Sequence, residues 1–167
     1  MPSRVAVIVW RDVLVLCDDG RSVVSDYAEL FEIGNELHRC HPHGWGLLII
    51  IPPNATPPSD AVRQAINDTL VNAQASLRGV TWAIEADGFQ GAMARAVLAG
   101  MRFLTSTPYP RNVCTSIDDS LSWLMPLLPG GERRLDDLAE LHGFIATRRD
   151  ALTRFQTSLR SPVPSAE

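Results

Sequence analysis

Apolar positions along the chain fall into two patterns: unbroken β-branched runs, and stripes at three- and four-residue steps. "VAVIVW" (5–10) and "VLVLCD" (13–18) are runs of the first kind, parted only by Arg11 and Asp12. They predict a hairpin or one long bent strand. Ser25 is placed to cap a helix over 26–40, where Tyr27, Leu30, Phe31, Gly34 and Leu37 recur at helical steps. "GLLIII" (46–51) is continuous, as expected of a central strand covered on both faces. It stops at Pro52-Pro53, where the stiff loop "PPNATPPSD" begins. Ser59 then caps a helix over about 60–77, with Val62, Ala65, Ile66, Thr69, Leu70, Ala73 and Leu77 along one stripe.

The alternation repeats. "VTWAIEA" (80–86) predicts a strand, Asp87-Gly88 a turn, and "FQGAMARAVLAGMRFL" (89–104) a helix rich in small residues. "RNVCT" (111–115) is a short strand, and Ser116 opens a helix through "IDDSLSWL", with Asp119 completing a capping arrangement. Strands alternating with helices across short connections predict an α/β fold over residues 1–129. Its core is a mixed, mostly parallel sheet of about five strands with helices packed on it.

Residues 130–160 have another character. Leu138, Leu141, Ile145, Leu152, Phe155 and Leu159 are spaced by three, four, seven, three and four, a heptad seam with Arg148 where an apolar residue belongs. A single helix over 132–160 would run roughly 43 Å, longer than a small domain is wide. Two arrangements fit: the helix lies back across the sheet domain, or copies of the chain associate through the seam. Gly143 weakens this helix by about 1 kcal/mol against alanine. Residues 161–167, "SPVPSAE", read as a flexible tail.

Composition narrows the function classes. With 46% hydrophobic and 20% charged residues the chain is ordinary for a globular protein. A net charge of −4 offers no general attraction to nucleic acid or an anionic membrane. All 15 basic residues are arginine, which removes any lysine-based mechanism. Cys17, Cys40 and Cys114 are odd in number and widely spaced, so they form no disulfide framework. No apolar run has the length of a signal core or a membrane span, and a cytoplasmic location is expected.

"LHRCHPHGW" (37–45) places His38, Cys40, His41 and His43 within six positions. A zinc site draws ligands from separate segments, and the fourth histidine, His142, lies about a hundred residues on. The stretch reads mainly as a helix stop and turn into the strand at 46–51, with a metalloenzyme site at residues 38–43, where His38 and His41 could share a helix face, as the minor alternative. "ADGFQGAMAR" sets Gly88 and Gly91 at a strand-to-helix turn with Arg95 following, a weak candidate for an anion or ligand turn and a good one for close packing. No nucleophile–base–acid set stands out, so no catalytic residues, metal or cofactor are expected. The pairs Asp18-Asp19, Asp118-Asp119 and Asp136-Asp137 sit at turns or first helical turns, where the helix dipole favours acids.

The order β-β-α-β-α-β-α-β-α, together with "HPHGWGLLIII", "GFQGAMARAVLAG" and "PYPRNVCTSIDDSLSWL", resembles the STAS-type fold of bacterial anti-sigma factor antagonists. Within it the chain is most similar to the SpoIIAA-like (STAS/SEC14-like) branch, over about residues 4–128. The resemblance implies a non-enzymatic regulatory or protein–protein interaction module, with a protein partner and self-association as a homodimer through the C-terminal helix. In STAS switch proteins a serine opening the helix after the third strand is phosphorylated in an Asp-Ser context. Here that region is "PPNATPPSD", and Thr56 and Ser59 are the nearest hydroxyls. The alternative from another class is a carrier of a small apolar ligand or an anion, using a pocket beside helix 89–104. Neither reading involves nucleic acid or a membrane span.

Overall fold

A computed structural model describes residues 5–53, 55–88, 91–93, 96, 107–130 and 138–160, with side chains of the last segment described to Arg149. Strands β1 (Val5–Trp10) and β2 (Val13–Asp18) form a hairpin, the first of the two arrangements expected, antiparallel and in register from Val5 opposite Asp18 to Trp10 opposite Val13. Arg11 takes a positive φ of 50° to turn the chain in two residues. Helix α1 (Val24–Cys40), strand β3 (Trp45–Ile51), helix α2 (Asp60–Ala73) and strand β4 (Leu77–Ile84) follow. Strand β5 (Arg111–Cys114) and helix α3 (Ile117–Leu124) come next, then a 3-10 turn at Met125–Leu127 and helix α4 (Leu138–Arg160).

The sheet order is β1-β2-β3-β4-β5, antiparallel at the first pairing and parallel at the other three. Sequential parallel strands joined by right-handed crossovers carry their helices to one face of a sheet. That places α1 and α2 together, and α3 and α4 cover the other face.

Alternation along each strand sorts its side chains between the two faces. Val13, Val15, Leu48, Ile50 and Ala83 pack against Leu121, Leu124, Met125, Leu141 and Ile145. Leu14, Leu16, Leu47 and Val80 turn the other way, to Tyr27, Leu30, Leu37 and Val62. Among the described residues no helix is long and apolar enough to cross a membrane.

Several boundaries differ from those expected. Helix α1 starts at Val24, not after Ser25, because the Asp26 carboxylate accepts the Val23 N–H at 2.9 Å and secures the first turn. Helix α2 stops at Ala73, and Leu77 begins β4 instead of continuing the stripe. Ser76 makes the break: its N–H and its hydroxyl both donate to the Ala73 carbonyl, at 3.0 and 3.1 Å. The cap at α3 is as expected, with Ser116 Oγ accepting from Asp119 N and donating to Asp119 Oδ2. Most of the expected helix 89–104 lies outside the described residues.

The beginning of α4 belongs to the sheet domain's core. Leu141 and Ile145 are buried in the α3 face, with Leu138 beside them. Arg149 reaches the end of β4, where its guanidinium donates to both Glu85 oxygens at 2.7 and 2.6 Å. The helix thus presents Leu138, Leu141, Ile145 and Arg149, steps of three, four and four. Arg148, at the expected heptad position, is exposed. A helix lying on a sheet keeps its natural 3.6-residue period and has no coiled-coil partner to hold it at 3.5.

Candidate functional site

The two faces of the sheet are filled differently. On the α1/α2 face a cavity of about 930 Å³ lies between the helices and the strands, large even among ligand pockets. Leu14, Leu16, Leu47, Ile49, Trp82 and Ile84 form its floor. Helix α1 contributes Tyr27, Leu30, Phe31, Gly34, Asn35 and His38, spaced three, one, three, one and three residues apart as one face of a helix requires. Helix α2 contributes Ile66, Thr69, Leu70, Asn72 and Ala73, with Arg63 from its first turns. Gly34, Thr69 and Ala73 are small where a packed interface would carry leucine. Gly34 has room to spare, since a Cβ there would find only Trp45 at 3.8 Å.

One end of the cavity is closed by the chain itself. The proline loop docks on the β2–α1 turn, where Thr56 N–H donates to Asp19 O at 3.0 Å and Thr56 Oγ1 to Gly20 O at 3.2 Å. Gly20 allows this contact with φ +80°, and any side chain there would collide with the Thr56 backbone. Asp18 binds the turn from inside, Oδ1 accepting from Gly20 N at 2.8 Å and Oδ2 from Ser22 Oγ at 2.8 Å and Tyr27 Oη at 2.5 Å. Burial, and next the hydrogen bond to Asp18, push the Tyr27 phenol well above its usual range. At the other end Trp45 Nε1 donates to Ser76 Oγ at 3.0 Å.

The charges that line the cavity are engaged. Asp18 holds its three donors, and Arg63 pairs with Asp60 on the exposed first turn of α2. Asn35, His38 and Asn72 also line it, and among the described residues their side chains make no hydrogen bond or ion pair.

The residues singled out from the sequence fall in different places. His38 joins the cavity wall, while His41 caps α1, its N–H donating to Leu37 O at 2.8 Å. Cys40 Sγ donates to Glu36 Oε1, a bond that, ahead of desolvation, raises the thiol pKa. The His43 carbonyl accepts from Arg78 Nε at 2.7 Å. Among the described residues no three His, Cys, Asp or Glu side chains converge as metal ligands would.

Ser59 accepts from Val62 N as the cap of α2, and Thr56 holds the docked loop. Gly88 uses a φ of +64° in the turn after β4, and Gly91 N–H points to Asp87 O at 3.5 Å. Arg95 lies outside the described residues, as do the side chains of Leu152, Phe155 and Leu159. Leu138, Leu141 and Ile145 of the proposed interface pack within their own chain.

The expected pocket was beside helix 89–104. The cavity's described lining is α1, α2 and the sheet, with Met93 from that segment, most of which lies outside the described residues. The signal for it lay in the stripes already read, where glycine, threonine and alanine stand among the leucines.

No family model, curated protein or solved structure matches the chain.

Proposed function

We propose that the protein is a binding module that holds a small apolar ligand between α1, α2 and the sheet, and carries out no chemistry on it. The observation that supports this is the 930 Å³ cavity with its apolar floor. An apolar space of that size in water gains by exchanging weakly held water for hydrocarbon. The polar groups of the closed end are committed to the turn and helix caps, and among the described residues no nucleophile is paired to a base.

Trp45 and Trp82 line the cavity and serve as reporters. Titration with the uncharged dye Nile red is expected to show one saturable site, with energy transfer from tryptophan. Gly34→Trp fills the space and is expected to weaken binding at least tenfold while leaving the circular dichroism spectrum intact. Equal binding by both proteins would refute the cavity as the site.

A STAS-like regulatory module that meets a protein partner is the second reading, favoured by the element order β-β-α-β-α-β and then β-α. Self-association, in this reading, would use the part of α4 beyond Arg149. Removing 152–167 spares Leu141 and Ile145. If that part of α4 holds two copies together, light scattering will show the mass falling to one chain.

A further inference from the structure

We infer that the ligand is a straight hydrocarbon chain of up to about sixteen carbons, lying along β3 with its tail stopped by the proline loop. This deepens the cavity-binding reading above and rests on it. Trp45 and Ile51, the first and last residues of β3, both border the cavity. At about 3.3 Å per residue they set its length at about 20 Å. The helices agree: α1 lines it from Tyr27 to His38 and α2 from Arg63 to Ala73, each about 15–17 Å at about 1.5 Å per residue. A volume of about 930 Å³ drawn out over that length is a slot about 7 Å across, too narrow for a compact ligand of the same volume. A fully extended polypeptide advances about 3.5 Å over three backbone bonds and a trans alkyl chain does much the same, so about 20 Å takes roughly sixteen carbons.

The loop turns this length into a limit. Pro52, Pro53, Ala55, Pro57 and Pro58 line the cavity beyond the end of β3. Each proline has its φ fixed, so the wall is stiff. The two Thr56 donors seat it on the β2–α1 turn, and Asp18 braces that turn from inside. Tyr27 and Asp18, the polar groups at this end, are bonded to each other, which suits a methyl end and offers nothing to a head. Toward the C-terminal ends of α1 and α2 the lining residues Asn35, His38 and Asn72 are exposed, so the head stays in water there and its charge is not selected.

Displacement of Nile red by straight-chain fatty acids of eight to twenty carbons, each below its micelle concentration, tests this. Affinity is expected to rise about two- to fourfold for each methylene taken out of water, up to about sixteen carbons. Longer chains are expected to gain less than about 1.5-fold per methylene, because the added carbons stay in water. Gly20→Ala drives a Cβ into the Thr56 backbone and is expected to unseat the loop, so that eighteen and twenty carbons gain at the earlier rate. Thr56→Pro, which removes both donors, is expected to do the same.

A rise unbroken to twenty carbons in the intact protein, or a break at twelve carbons or fewer, would overturn the length. A break that stays at the same carbon in both variants would overturn the loop as the stop. Failure of Nile red and every fatty acid to bind would instead overturn the cavity-binding reading on which this one stands.

Discussion

Two faces of one sheet, built from alternate residues of the same strands, are finished in opposite ways. Leu48 and Ile50 of β3 are fully buried against Leu121, Leu124 and Met125, closed over by Leu141 and Ile145 of α4. Their neighbours Leu47, Ile49 and Ile51 border a cavity. Glycines mark the contrast. At Gly79 a Cβ would lie 2.8 Å from Leu127, so the glycine is there because the layers touch. At Gly34 there is open room, so the glycine adds space that packing alone would have filled. Close packing is where a fold gets its stability. Beside the cavity the α1/α2 face gives up some of those contacts while its strands stay paired.

Truncations should expose the difference most strongly. Leu124→Ala is expected to cost about 3–5 kcal/mol in urea unfolding, the range for a fully enclosed leucine. Ile66→Ala, beside existing empty space, should cost about 1–2 kcal/mol, near the transfer contribution alone. Equal costs would erase the distinction between the faces. Next in size is overpacking. Gly79→Val pushes into Leu124, Leu127 and Trp123 and is expected to cost about 1–3 kcal/mol.

How far the sequence carries this picture depends on the kind of information each feature needs. Strands were legible because β-branched runs state them locally, while the two-residue break left a hairpin and one bent strand both open until the β1–β2 pairing decided it. The caps at Ser59 and Ser116 were likewise stated locally. The end of α2 was not, since Leu77 continues the stripe and only the Ser76 bonds to Ala73 end it. The first part of the α4 seam, Leu138, Leu141 and Ile145, fits a heptad and a 3.6-residue period alike, and only Glu85 on another element brings Arg149 in place of Arg148 to the sheet.

The cavity was the least legible feature. A stripe reports which side of a helix faces the sheet, but not how far the helix stands from it. Gly34, Thr69 and Ala73 hint at the gap only once α1 and α2 are known to share a face.

Smaller effects sharpen the comparison at the closed end of the cavity. Tyr27→Phe removes the hydrogen bond to Asp18 and is expected to cost about 1 kcal/mol at neutral pH. The folded phenol titrates above the unfolded one, so its contribution is complete below the usual tyrosine pKa of about 10 and fades as pH rises past it. The gap between wild type and Tyr27→Phe in urea midpoint should therefore narrow above about pH 10. A gap that widens there would show the bond to be misassigned. Smallest is Gly34→Ala, expected to stabilise by up to about 1 kcal/mol, because a helix interior prefers alanine and Trp45 leaves room for the methyl. Destabilisation would mean that α1 lies closer to the sheet than the cavity allows.

The most direct experiment reads both faces at once. Methyl-labelled leucine, isoleucine and valine spectra are recorded as n-decanol is added to the intact protein. Shifts and intermolecular contacts are expected at Leu47, Ile49, Ile66 and Leu70, while Leu48, Ile50, Leu121 and Leu124 stay unchanged. Residues 47 to 50 would then respond alternately along a single strand. Saturation without that alternation, or perturbation confined to the α3 and α4 face, would contradict a ligand site between α1, α2 and the sheet.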